Sequence, residues 1–511
     1  MPTGANVVGT VISDDESPTF EFVRIKLKAG ADVVPGMLLR IPMSRDGGAV
    51  ILIARVRSAY EHNPNEHPES INVRDTLGIA PNYPSEVDST IIYRLVEADL
   101  IEEFAGATTR APQTLPNSGN EVFVADEDEI VRSLGLTSDP DKGLHLGTTT
   151  SGKHTDIVLK REVIQRHMFI SGTTGSGKSY AMGVIAEEII KHGIPMVFLD
   201  TQDEYSKFVR LMGGTVKEPG PDFTIRISSL SESELLDLLP SATTELQRNI
   251  AARAFSELQT KLRSGDIAKF TISDLTTQME SVGADLTDRQ GSVKTAISRT
   301  QSLERMPIFG NGIDKADWRV LMSPCLAINC KNLLSFQLQP VATAVLRELQ
   351  SLRMRDLIPP YVAVIDEAHL FVPEGESSPC KQIIREGVRI GRHHGIAMIL
   401  MTQSPVDIDK RAIRQCNTRL VFALEPDQLS AVQGVKADAS EEMLNALPKM
   451  PRGTCLLSGT YESVRHTIPM QVRKRRTQNS EGGETPDIFK EMKDRWQKEI
   501  ADLKAKKAPR P

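Results

Sequence analysis

The chain is 511 residues long, 40% hydrophobic and 25% charged, the balance of a folded protein with room for two or three domains. No uninterrupted apolar run approaches the roughly 20 residues a membrane-spanning helix needs, and Met1-Pro2-Thr3-Gly4 lacks the basic-then-apolar form of a signal peptide, so a cytoplasmic protein without membrane partners is expected. A formal net charge of −6 does not mark the whole chain as a nucleic-acid binder, yet phosphate contacts need only local positive charge, which a ring of subunits multiplies.

In chain order, residues 1–100 read as a small β-barrel: Val7 to Ile12, Phe20 to Ile25, Met37 to Ile41 and Val50 to Val56 are short β-rich runs separated by Asp, Gly and Pro. Residues 101–165 read as a β-rich connector. From Arg166 to about residue 478 the pattern changes to apolar strands alternating with amphipathic helices, the signature of an α/β fold with a parallel sheet. The expected strands are His167–Ser171, Met196–Asp200, Cys325–Asn329, Tyr361–Asp366, Ile396–Thr402 and Leu420–Leu424. A helical insertion is expected at about 206–318, and a charged, solvated tail at 479–511. The five cysteines, Cys325, Cys330, Cys380, Cys416 and Cys455, form no C-x-x-C pair and read as reduced thiols.

The chemistry concentrates in a few segments. Gly172-Thr173-Thr174-Gly175-Ser176-Gly177-Lys178-Ser179 is a complete phosphate loop, preceded by an apolar strand and opening a helix at Tyr180. Its backbone N–H groups and helix N-terminus suit the phosphates of ATP, Lys178 suits the β/γ-phosphates and Ser179 suits Mg²⁺. The strand Tyr361 to Ile365 delivers Asp366-Glu367 at its C-terminal end, where open α/β sheets bind ligands. Asp366 is assigned to Mg²⁺ through its water shell and Glu367 to polarising the attacking water; His369 is left without a catalytic role. Gln403 ends another buried strand, where it can sense the γ-phosphate. Arg385, Arg389 and Arg392 share one side of a helix expected to end at Gly391. Arg385 reads as a solvated residue, whereas Arg392, in the loop that follows, reads as an arginine finger reaching a neighbouring subunit. His393-His394 lacks a third ligand at useful spacing and reads as a loop pair.

With these residues in place the chain resembles the HerA family of DNA translocases, in the FtsK–HerA branch of RecA-like ring ATPases. The resemblance rests on Val8 to Ile12, Leu144 to Gly147, Arg166 to Ser179, Asp200 to Tyr205, Asp366 to His369, Gly391-Arg392, Thr402-Gln403 and Leu447 to Gly453, and on Arg166 lying twelve positions ahead of Lys178. Asp200-Thr201-Gln202-Asp203 departs from the Pro-His-Gly often found before Glu-Tyr, leaving Gln202 and Asp203 without an assigned role. The resemblance implies a homohexameric ring around double-stranded DNA with ATP at each interface. It makes Arg392 the trans-acting finger and Arg166 a second nucleotide-contacting arginine. It also implies a NurA-type nuclease partner in DNA-end resection and double-strand-break repair. Related bacterial proteins instead join nuclease or NAD-consuming partners in antiviral defence, and a non-motor ring scaffold is a further alternative.

Overall fold

The computed structural model describes residues 7–45, 48–62, 93–284, 286, 289–310, 318–375, 379–433 and 437–477; the expected tail at 479–511 lies outside the described residues. Runs of period two send alternate side chains inward. They make β1 (Val7–Ile12), β2 (Phe22–Leu27), β3 (Leu38–Arg45), β4 (Gly48–His62), β5 (Tyr93–Ala105), β6 (Thr108–Arg110) and β7 (Glu121–Val124) into one sheet of order β2-β1-β7-β3-β4-β5-β6. Antiparallel pairing of β2 with β5 closes it into a barrel around Val11, Val23, Ile25, Leu39, Leu52 and Val96.

The barrel runs past residue 100, because β5 continues to Ala105 and β7 returns to pair with both β1 and β3. The acidic pair Glu102-Glu103 at this boundary is interior. Glu103 is buried, and its carboxylate accepts from Arg110 Nε (3.0 Å) and from the backbone N–H groups of Gln113 and Thr114 (2.7 Å each). The remainder of the expected connector supplies β8 (Gly143–Thr149) and β9 (Asp156–Lys160), which belong to the second sheet.

That sheet is built from β8 and β9 together with β10 (Met168–Ser171), β11 (Met196–Asp200), β12 (Thr215–Lys217), β13 (Cys325–Asn329), β14 (Tyr361–Ile365), β15 (Ile396–Thr402), β16 (Thr418–Val421), β17 (Thr454–Gly459) and β18 (Ile468–Val472). Its order is β12-β13-β11-β14-β15-β10-β16-β17-β18-β8-β9, parallel as far as β16 and antiparallel beyond. The central strands are apolar without alternation because helices cover both faces. The helix Lys178–Lys191 packs on one face, and the helices Ser335–Met354 and Pro379–His394 pack on the other. All six strands expected from sequence occur, the last shifted to Thr418–Val421.

The helical insertion is narrower than the expected 206–318. Its own core begins at Ile225 and ends at Ile308, whereas Ser206–Leu211 and β12 serve the sheet. Three of its helices start where the sequence places hydroxyl caps: Ser231 with Glu234, Thr244 with Gln247 and Thr271 with Asp274. All five cysteines are buried and free, and burial pushes the Cys325, Cys330, Cys380 and Cys416 thiols up to about 12.

A polar network ties the barrel to the ATPase sheet. Arg55 of β4 donates to the Asp438 carboxylate (2.8 Å) and carbonyl (2.5 Å). Asp438 also accepts from the Thr467 N–H (2.7 Å) and pairs with His466 Nδ1 (2.9 Å), while His466 Nε2 and Arg465 stand 3.4 and 3.5 Å from Glu102 of β5. Burial opposes the imidazolium, but the bonds to Asp438 and Glu102 outweigh it and raise its pKa above the ordinary 6.5. A raised folded-state pKa gives stability that is complete below the unfolded value and lost as pH rises through the folded one. Melting wild type and His466→Asn side by side should therefore show the full gap below about pH 6.5 and a narrowing gap as the pH is raised above it. A gap that stays constant through that rise would remove the charged histidine from the tie.

Candidate nucleotide site

The phosphate loop leaves β10 at the sheet's C-terminal edge, and the helix Lys178–Lys191 begins directly behind it. The turn needs glycine: Gly175 has φ 78° and Gly177 has φ 113°, and a Cβ on Gly177 would press on the backbone of Gly453 at 3.1 Å. Gly453 itself donates its N–H to the Ser176 carbonyl (2.9 Å), so the late segment ending at Gly453 props up the loop. Lys178 is buried, and its ammonium donates to the carbonyls of Gly172 (2.6 Å) and Thr173 (3.1 Å). Burial lowers its pKa, opposed by the carboxylates of Glu367, Asp366 and Glu204.

The acids come from neighbouring strand ends. Asp366 follows β14 and is buried, accepting a long bond from Thr201 Oγ1 (3.4 Å); burial, followed by Glu367, Glu204 and Asp200, raises its pKa well above the ordinary carboxylate range. Such a carboxylate calls for a cation, and the donor set of Ser179 and Asp366 beside a phosphate loop fits Mg²⁺. Glu367 adopts a left-handed backbone (φ 46°) that turns its carboxylate back into the cleft. There it accepts from Gln403 Nε2 (2.6 Å) and Gln202 Nε2 (3.3 Å), and His369 Nδ1 lies 3.3 Å away. Gln403 also accepts from Thr174 of the loop (2.5 Å), which links the loop to the acid through one side chain.

The structure thus gathers Gly172, Thr173, Thr174, Gly175, Ser176, Gly177, Lys178, Ser179, Tyr180, Asp366, Glu367 and Gln403 at one edge. Arg166 and Arg392 lie at the other. Arg166 precedes β10 and pairs with Glu462, while Arg392 sits just ahead of β15. The seven residues of β15 separate the two edges by about 20 Å at roughly 3.3 Å per residue. Two details of the sequence reading change. The helix does not end at Gly391 but continues to His394, because buried Gly391 packs against Ile396 and His167 without breaking the helix; Arg392 is therefore on its exposed last turn rather than in a loop. Arg385 is not simply solvated, since it stands 3.8 Å from buried Asp409.

Sequence reasoning missed several participants. Glu204 accepts the Ser179 hydroxyl hydrogen bond, and Gln202 reaches Glu367. Asp203 takes a positive φ of 64° and accepts from Asn329 (2.8 Å), away from the cleft. Asp200 organises this turn, accepting from the N–H groups of Gln202, Glu204 and Tyr205, and burial raises it to about 6. The available signal was the dense polar run directly after a buried strand.

A parallel sheet carrying a phosphate loop and an acid pair at adjoining strand ends defines a nucleotide-binding RecA-like P-loop ATPase. Comparison with known proteins narrows this. Residues 144–320 match the helicase HerA central domain and residues 331–472 an AAA-like domain. A probable helicase of Methanocaldococcus jannaschii is 22% identical over 410 residues, 76% of each chain, and the DNA double-strand break repair helicase HerA of Saccharolobus solfataricus is 23% identical over 404 residues, 75% of this chain and 77% of its own. In fold the chain is similar to VirB4 of Thermoanaerobacter pseudethanolicus, with TM-score 0.53 at 15% identity over 66% of this chain and 98% of that one. The chain belongs to the HerA/FtsK branch of P-loop ATPases, and it is an ATP-hydrolysing enzyme. Among the described residues no helix is long and apolar enough to cross a membrane.

Proposed function

We propose that this ATPase works as a homohexameric ring that moves along double-stranded DNA. The observation that supports this most is the division of the site between two edges of one sheet: the loop, Lys178, Glu367 and Gln403 at one, Arg166 and Arg392 at the other. A cation at the opposite edge of the sheet is too far from its own phosphate loop to contact that loop's nucleotide, and in this reading it serves a neighbour's. Stacking subunits edge to edge brings the two halves together, and repeating that contact closes a ring.

In this reading the loop N–H groups and Lys178 bind the phosphates of ATP, and Ser179 with Asp366, through water, would hold Mg²⁺, which neutralises phosphate charge when bound. Glu367 takes a proton from the attacking water, Gln403 relays the state of the γ-phosphate to Glu367 and Thr174, and Arg392 with Arg166 completes the neighbour's site. The double-strand break repair helicases among the relatives support DNA as the track, and the family resemblance implies a NurA-type nuclease as the partner.

ATP turnover should rise on adding duplex DNA of any sequence, and the stimulation should fall steeply with salt because phosphate contacts release counterions. Lys178→Ala should abolish turnover with or without DNA. Turnover indifferent to DNA in a competent ring would leave an ATPase without this track; a fully active Lys178→Ala would undo the site itself.

A further inference from the structure

Behind the phosphate loop lies a contact that ATP binding and hydrolysis, as described above, do not use. After β18 the chain crosses the outer face of the helix Lys178–Lys191 as an extended strap, residues 473–477. Arg473 donates to Glu187 (2.9 Å) and Glu188 (2.6 Å), Arg476 pairs with Glu188 (3.0 Å), and Thr477 donates through its N–H (2.8 Å) and hydroxyl (2.6 Å) to Glu187. Between these anchors Arg475 turns toward the first turn of the helix. Its guanidinium donates to the Tyr180 carbonyl (3.0 Å) and the Ser179 carbonyl, its own N–H donates to the Tyr180 hydroxyl (2.8 Å), and it lies over the rings of Tyr180 (4.6 Å) and Phe208 (5.6 Å). Gly183 makes room, since a Cβ there would overlap the guanidinium.

We propose that Arg475 is a positioning residue for the nucleotide site: by holding the carbonyls of Ser179 and Tyr180 it fixes the helix turn that aims the Ser179 hydroxyl, so that the strap sets the affinity for Mg-nucleotide. The Ser179 hydroxyl donates to Glu204 on the cleft side, and its backbone is held from behind by Arg475. The planar fork suits this task, because it spans two adjacent carbonyls while stacking on an aromatic ring; a lysine has no such geometry. Partners that orient a metal ligand from behind commonly carry about 10- to 100-fold in metal affinity. The inference rests on the proposed role of Ser179.

The test is equilibrium binding of a fluorescent ATP analogue to the full chain, titrated with Mg²⁺ or held in EDTA, alongside steady-state turnover. Arg475→Ala should lose about 10-fold in Mg²⁺-dependent affinity and change little in EDTA. Gly183→Ala should reproduce that loss by displacing the guanidinium. Alanine favours a helix over glycine, so its loss would not come from a weaker helix. The double variant should be no worse than the more affected single one, as expected for two changes acting through one contact. Arg347→Ala, which breaks an ion pair to Glu234 in the insertion, controls for general loss of stability. An Arg475→Ala protein that melts earlier but binds with wild-type Mg²⁺ dependence, or additive losses in the double variant, would overturn the proposal. If Lys178→Ala also turns over normally, the site reading has failed; if Lys178→Ala is dead and Arg475→Ala binds normally, only the strap's role has.

Discussion

Glu367→Gln should bind ATP as tightly as the wild type and hydrolyse it about 10²- to 10³-fold more slowly. The amide matches the carboxylate in volume, and its oxygen can still accept from Gln403 Nε2 and Gln202 Nε2, which now converge on Oε1 at 2.6 and 3.3 Å. The left-handed backbone at φ 46° is unaffected by the exchange, so the side chain keeps its aim. What disappears is the group able to take a proton from water. Nucleotide binding measured at equilibrium and turnover measured under saturation separate the two effects. Weakened binding in a folded protein would make Glu367 a ligand or structural residue, and turnover near the wild-type rate would remove it from the chemistry.

Removing Arg392 should cost on the order of 10³-fold in turnover while leaving each subunit's own nucleotide affinity near normal. The guanidinium sits on the exposed last turn of the helix Pro379–His394, beyond the N-terminal end of β15, so its own loop is out of reach and the proposed ring makes the loss appear across an interface. Mixing Arg392→Ala with Lys178→Ala subunits tests this directly. Some interfaces in mixed rings then pair an intact Lys178 site with an intact finger, and partial activity should return although both parents are inactive. Mixtures that stay inactive while subunits demonstrably exchange would place Arg392 in its own subunit's fold. The ATP site would survive that result, but the main argument for an obligate ring would not.

Much of the site was legible because its chemistry is local. A phosphate loop is eight contiguous residues whose glycine positions dictate the backbone curl, and an acid pair directly after an apolar strand has one place to go in a parallel sheet. The barrel's existence was legible from alternation, but its boundary was not, since the buried Glu103 reads as solvent-facing until Arg110 and two backbone N–H groups are seen around it. The end of the arginine-bearing helix was misplaced at Gly391 because glycine weakens a helix only modestly; packing against His167 and Ile396 carries the helix through to His394.

The sequence by itself determined the class of enzyme, the phosphate loop and the six apolar strands around it, all properties written in neighbouring residues. Tertiary structure decided which distant groups meet. It brought Glu204 to Ser179, Gln202 and Gln403 to one oxygen of Glu367, and Arg475 to Tyr180 across 295 residues of chain. It also set Arg166 and Arg392 at the far edge from Lys178. Residues at successive strand ends can be hundreds of positions apart yet adjacent in space, because a parallel sheet aligns every C-terminal end along one edge and every N-terminal end along the other.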